Sequence, residues 1–242
     1  MTSPTAAMLV IGDEILSGRT RDANMYHLAR ALTDHGIPLC EARVIADDHA
    51  TIVATVKALA GRYDHLFTSG GIGPTHDDIT AEAVAEAMGA PIGIRDDARA
   101  ILQAHYDARG QELNEARLRM ARIPDGATLI DNPISAAPGF TLGNVHVMAG
   151  VPSIFEAMLA GVLPTLTGGA PVLSQSLMVR QGEGDIAARL GQLAEDHPEV
   201  SIGSYPFIRD GVHGSNIVVR SQDGQAVDAV MQELSALFGE TR

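Results

Sequence analysis

Residues 68–80 read TSGGIGPTHDDIT: three glycines, then two adjacent carboxylates, placed where a short apolar run (Leu66, Phe67) gives way to a helical pattern. Glycine allows positive φ and lets main-chain N–H groups come close to a ligand. A Gly-rich turn from strand into helix, here Gly70, Gly71 and Gly73 with Pro74 and Thr75, is therefore a natural phosphate cradle. Asp77 and Asp78 would repel a bare phosphate unless a divalent cation stood between them. The chemistry indicated is a metal-bridged phosphate or pyrophosphate. A Gly-rich turn ending in an Asp N-cap is also a routine structural device, so the segment alone leaves both readings open.

The elements that must position these groups alternate. Met8–Ile11 is a buried-strand signal that ends in Gly12, Asp13 and Glu14. Met25, Leu28, Ala29 and Leu32 share one helix face, with Asn24 or Asp22 as cap and Gly36 as stop. Residues 37–46 return as a strand, Asp47 and Asp48 open a second helix, and residues 64–68 form the strand that feeds the glycines. Residues 79–88 form a third helix ended by Gly89. Alternating strand and helix predicts an α/β fold, a doubly wound, mostly parallel sheet, and ligands in such sheets bind outside the carboxyl ends of the strands. Three of those ends carry acids: Asp13 and Glu14, Asp47 and Asp48, Asp77 and Asp78. Their convergence is the argument for a site; each pair can also serve as a helix cap.

Further along, residues 96–121 read as two helices broken near Gly110. Residues 128–130 form a strand, and Gly143-Asn144 marks a hairpin. Pro152 starts a helix through Leu163. Composition shifts at TGGAP, residues 167–171. The expected domains are 1–168, the α/β unit, and 169–242, a small α+β unit of order β-α-β-β-α with helices on one face. That second unit shows no chemical cluster; oligomerisation or lining one wall of the site are the roles expected of it.

Net charge is −13, from 17 basic and 30 acidic residues, which argues against a nucleic-acid surface. Cys40 is the single cysteine, so neither an intrachain disulfide nor a Cys-based zinc site is possible. The N-terminus lacks the basic start of a signal peptide, and no apolar run reaches membrane-spanning length. A cytoplasmic protein without membrane contact is expected. Lys57 is the only lysine and there is no GxxxxGK[ST], which excludes a P-loop NTPase.

The segments GDEILSG (12–18) with Asp22 and Asn24, GGIGPTHDDIT (70–80), Asn132-Pro133, APGF (137–140) and Gly150-Val151-Pro152 resemble the molybdopterin-binding-like domain. They are most similar to its form at the N-terminus of CinA-type competence/damage-inducible proteins. The resemblance implies a doubly wound α/β fold. In its adenylyltransferase branch, acids matching Asp47 and Asp78 are linked to catalysis and Mg²⁺, and the Gly loop holds the pterin phosphate region. Asp77 beside Asp78 is a trait of the CinA branch, associated with metal-dependent cleavage of ADP-ribose-like dinucleotides. The related domain of eukaryotic FAD synthases is associated with FAD hydrolysis. The nicotinamide mononucleotide deamidase domain usual in CinA-type proteins is not expected within 242 residues. Ala149 stands where the family usually has proline, and Ser135 where glycine is common.

The expectation is a divalent-metal-dependent nucleotide pyrophosphatase using Mg, Mn or Co. Asp47, Asp78 and Asp77 are the catalytic and metal-binding candidates. The substrate- and phosphate-binding candidates are Asp13, Glu14, Ser17, Asp22, Asn24, Gly70, Gly71, Gly73, Pro74, Thr75, Asn132, Pro138 and Gly139. Thr80 is expected to cap its helix. His76 reads as a surface loop residue, and Arg19 and Arg21 as phosphate clamps or solvated loop residues. Molybdopterin adenylylation and a non-catalytic pterin or dinucleotide sensor are the alternatives. A small-molecule nucleotide or pterin is the expected partner, and relatives suggest a dimer or trimer.

Overall fold

A computed structural model describes residues 4–209 and 211–239. The chain divides into two compact units, Met1–Gly169 and Ala170–Arg242.

In the first unit, β1 (Ala6–Ile11), β2 (Leu39–Ile45) and β3 (His65–Ser69) are joined by helices. These are α1 (Asp13–Leu16) and α2 (Asn24–Asp34) before β2, and α3 (His49–Ala60) before β3. After α4 (Thr80–Met88) come β4 (Ile92–Ile94), α5 (Asp96–Asp107), α6 (Glu115–Leu118), β5 (Arg122–Pro124) and β6 (Thr128–Ile130). β7 (Gly139–Leu142), β8 (Val145–Met148) and α7 (Pro152–Val162) close the unit.

Six strands form one sheet in the order β2-β1-β3-β8-β7-β6, while β4 and β5 pair separately. β2, β1, β3 and β8 run parallel, and β7 lies antiparallel to both its neighbours. All six residues of β1 are buried. Ala7, Leu9 and Ile11 enter one core with Ile52 and Val56 of α3 and Val84 of α4. Ala6, Met8 and Val10 enter the other with Leu28 and Leu32 of α2 and Phe155 and Met158 of α7. The period of two along a doubly covered strand is what makes the sheet doubly wound.

Part of the stretch between β1 and α2 is the helical turn α1, and β4 and β5 were not expected. Thr80 corrects another expectation. It is the first residue of α4, fully buried, and makes no capping bond; its Oγ1 lacks a partner and sits under Gly71.

The second unit is β9 (Leu173–Val179), α8 (Glu183–Asp196), β10 (Ser201–Arg209), β11 (Val212–Ser221) and α9 (Gly224–Phe238), with strand order β10-β11-β9, all antiparallel. Val179, Ile217 and Val219 pack under Ile186 and Leu193 of α8 and Val230 and Leu234 of α9. Among the described residues no helix is long and apolar enough to cross a membrane.

Candidate functional site

The site forms where the parallel strands of the first unit end, and its glycines are there for separate steric reasons. Gly70 has φ 105°, and a Cβ on it would lie 2.2 Å from the Ile11 carbonyl oxygen at the end of β1. Gly71 has φ 68°, and its Cβ would lie 2.1 Å from Thr80 Oγ1. A Cβ on Gly73 would press on the Asp78 carboxylate at 2.6 Å. The loop is pinned at both ends, by Gly70 N–H donating to Met148 O (3.2 Å) and Thr80 N–H donating to Gly71 O (3.0 Å).

The two adjacent aspartates have different jobs. Asp78 Oδ2 accepts from Thr75 N–H (2.8 Å) and from the Thr75 hydroxyl, while Asp78 N–H donates to Thr75 O (3.2 Å). This reciprocal turn shapes the loop. Asp77 is exposed and competes with Asp78 for the single Thr75 hydroxyl proton; that bond first, and its own main-chain N–H second, lower its carboxyl pKa. His76 is open to solvent.

Asp47 and Asp48 separate in the same way. Asp48 caps α3, accepting from Thr51 N–H (2.9 Å) and Oγ1 (2.6 Å). Asp47 Oδ2 accepts from Asp13 N–H (3.0 Å), which ties the end of β2 to the start of α1. Partial burial is the main cause that raises the Asp47 carboxyl above its ordinary pKa; the Asp13 N–H bond opposes it, and the charges of Asp13, Glu14 and Asp77 add to the rise. The acids from three strand ends thus share one field.

A cavity of about 510 Å³ opens here. Glu14, Asp47, Asp77 and Asp78 line it with Gly70, Gly71, Gly73, Pro74 and Asn132, and no Lys or Arg is among its lining residues. Asn132 is buried and builds the far wall. Its Nδ2 donates to Ser135 Oγ (2.7 Å) and Ala137 O (2.8 Å), and its Oδ1 accepts from Ile134 N–H and Ser135 N–H (both 3.1 Å). Ser135, where glycine is common, completes that network. Within it, Ala136 has φ 63°, the sole left-handed non-glycine among the described residues. Such strain costs on the order of 1 kcal/mol and gathers at functional sites. Ala149 gives its N–H to Met158 Sδ at 3.5 Å, a bond that proline could not make.

Several candidates lie off the cavity wall. Asn24 is buried, and its Nδ2 donates to Ser69 Oγ (2.7 Å) and Gly150 O (2.8 Å), which fastens α2 to the ends of β3 and β8. Asp22 caps α2 by accepting from Asn24 N–H (3.3 Å) and Met25 N–H (3.1 Å). Both border a side pocket of about 40 Å³ together with Glu14, Thr20 and Arg21. Ser17 is exposed and donates to Glu14 O at 3.3 Å. Gly139 is needed for packing, since a Cβ would lie 2.3 Å from Val147 O, and Pro138 borders a small hollow behind the loop. The expected metal triad of Asp47, Asp77 and Asp78 is not preassembled: among the described residues no three His, Cys, Asp or Glu side chains stand close enough to enclose an ion. The reason is the turn, which turns the Asp78 carboxylate toward Thr75. Arg119, Met120 and Thr20, none of them sequence candidates, border the cavity or the hollow.

Comparison with known proteins agrees with this geometry. Residues 7–168 match the family described as probable molybdopterin binding domain, and residues 171–242 match the FAD synthase middle domain. A protein of Pyrobaculum calidifontis is 31% identical over 252 residues, covering 97% of this chain and 96% of its own. A probable FAD synthase of Caenorhabditis elegans is 31% identical over 258 residues; the match covers 97% of this chain and 50% of that longer protein. The crystal structure of the protein CinA, of unknown function, from Thermoplasma acidophilum superposes with a TM-score of 0.62 at 34% identity, covering 66% of this chain and 98% of its own. The chain belongs to the molybdopterin-binding-domain family, in the company of CinA-like proteins and of FAD synthases, whose middle domain its second unit matches.

Proposed function

We propose that the protein is a divalent-metal-dependent pyrophosphatase that cleaves a dinucleotide of the FAD or ADP-ribose type between its two phosphates. The observation that carries this reading is charge. Four carboxylates and no basic side chain line a cavity bordered by Gly70, Gly71 and Gly73. A pyrophosphate enters such a cavity accompanied by a cation.

The residues fit one kind of ion. A cation fully caged by protein needs more converging ligands than the described residues bring together. A Mg²⁺-like ion keeps several waters and binds through one or two carboxylates plus substrate phosphates. Asp47 and Asp77 would hold it, with the Asp78 oxygen not used by Thr75. When bound, the ion supplies charge neutralisation and a coordinated water of lowered pKa.

The chain's own groups do the rest. Main-chain N–H groups of Gly71, Ile72 and Gly73 would donate to phosphoryl oxygens as negative charge develops. The Asn132 wall and the aliphatic side chains of Ile72, Met120 and Ile154 would hold the nucleoside and limit water. The FAD synthase match over residues 171–242 favours a flavin dinucleotide. The molybdopterin-domain match over residues 7–168 favours a second reading, nucleotidyl transfer to a pterin phosphate in the same seat.

The test is to incubate the purified protein with FAD, with ADP-ribose, and with molybdopterin plus ATP, each with Mg²⁺, Mn²⁺ or Co²⁺, and to identify the products. AMP with FMN, or AMP with ribose phosphate, supports hydrolysis. Adenylylated pterin without dinucleotide cleavage replaces it with transfer. Saturable binding without turnover under any metal makes the protein a sensor.

A further inference from the structure

Behind the glycine loop, on the side of α4 and β5, lies a hollow of about 20 Å³, room for roughly one water molecule. Arg119 stands at it, at the start of the short turn Arg119–Ala121 that leads into β5. Its Nη2 donates to the Asp78 carbonyl oxygen at 3.2 Å. Its Nε is buried and has no partner. The neighbouring Arg122 is engaged differently, in an ion pair with Glu82 at 3.1 Å.

We propose that Arg119 is the positioning residue of the anion seat: its guanidinium holds the Thr75–Asp78 turn from behind and sets a fixed positive charge under a loop whose open side carries acids and no base. The proposal rests on the reading of that loop as a phosphate seat. Two physical points carry it. First, the Asp78 carbonyl and the Asp78 carboxylate belong to one residue, so a donor on the carbonyl restrains the backbone from which the carboxylate reaches Thr75 N–H. Second, the Arg119 side chain is half-buried, and an Nε shut off from solvent without a partner is costly to keep unless the charge it belongs to is used. A planar fork able to bond the carbonyl while presenting a second edge suits this place, and a lysine ammonium does so only in part.

The experiment compares the whole chain as wild type, Arg119→Gln, Arg119→Lys and Arg122→Gln. Amide hydrogen exchange is read over residues 70–80, and calorimetry reads the affinity for inorganic pyrophosphate with Mg²⁺. Arg119→Gln is expected to exchange at least tenfold faster in that segment, with β1 and β3 unchanged, and to weaken pyrophosphate at least tenfold. Arg119→Lys should recover part of both effects, and Arg122→Gln should leave the loop as in wild type. Wild-type exchange in Arg119→Gln, faster exchange spread through the core strands, or the same loop effect from Arg122→Gln would each overturn the proposal. Neither readout needs turnover. A failure to cleave any dinucleotide would end the pyrophosphatase reading while leaving this one standing.

Discussion

Replacing Asp47 by Asn should stabilise the protein slightly and remove its activity, and both signs follow from the same carboxylate. Asp47 is raised above the ordinary carboxylate pKa, by partial burial first and then by Asp13, Glu14 and Asp77. A raised acid favours folding when protonated, and that contribution is lost as pH rises through its folded pKa. At neutral pH the metal-free protein therefore carries a charge it would be better without. Partial burial and three like charges, in a largely solvent-screened setting, together weigh about 1 kcal/mol. The Asn Oδ1 still accepts from Asp13 N–H, but losing the charge assistance costs roughly 0.5 kcal/mol. The net gain of about 0.5 kcal/mol corresponds to a rise of roughly 1–2 °C in the melting transition of the first unit. With a carboxylate removed from the proposed ion site, metal-dependent turnover should fall roughly 100-fold or more. Differential scanning calorimetry in chelator and product assay with saturating Mg²⁺ read the two effects. A variant that melts several degrees lower in chelator, or one that turns over at the wild-type rate, would refute the reasoning.

Gly70→Ala places a Cβ at φ 105° against the Ile11 carbonyl; unfolding by denaturant should show a loss on the order of 3 kcal/mol. Metal titrated alone should bind weakly, and a non-hydrolysable dinucleotide should tighten it at least tenfold, because protein ligands alone do not enclose the ion; equal affinity with and without nucleotide in calorimetry counts against the shared site. At limiting metal, the acid limb of the activity profile should lie above that of an ordinary aspartate, since on the proposed reading Asp47 ionises to hold the cation and its pKa is raised; the residual turnover of Asp47→Asn should lack that limb. His146 is driven down to about 4 by burial, with the charge of His65 adding to it. A buried neutral histidine favours folding above its ordinary pKa and loses that contribution as pH falls toward its folded pKa, here roughly 3 kcal/mol between pH 7 and pH 4; His146→Gln should flatten that part of the stability profile.

What could be read from the chain followed from periodicity and special backbone. β1 is apolar along its whole length because both faces are covered, and α2 carries its apolar side chains on one stripe, so both show in composition alone. Gly70, Gly71 and Gly73 announced a loop that no other residue could form. α1 has four residues, and β4 and β5 three each, too short for any period to appear. Asn24 was read both as a candidate helix cap and as a substrate-binding candidate. Its burial depends on Gly150, 126 residues away, which no local pattern reports. Arg119 was hidden for the same reason: among the arginines of residues 117–122, only its distance to the Asp78 carbonyl distinguishes it.

Adjacent acids in a motif invite the view that they act as a pair, yet neighbouring side chains leave the chain in different directions and rarely meet at one point. Here Asp78 spends an oxygen on Thr75 and is held by its own carbonyl through Arg119, while Asp77 faces outward. The same division recurs at Asp47 and Asp48, where one acid caps a helix and the other turns to the cavity. At the ends of β2 and β3, then, one acid of each pair is tied into a local turn or cap while its neighbour keeps its carboxylate for the cavity. On the proposed reading, a site built in this way would have an anion seat fixed by hydrogen bonds and an open cation position completed by the substrate. It would then discriminate by requiring both halves at once: phosphate without metal would meet four carboxylates, and metal without phosphate would find too few ligands to displace its water.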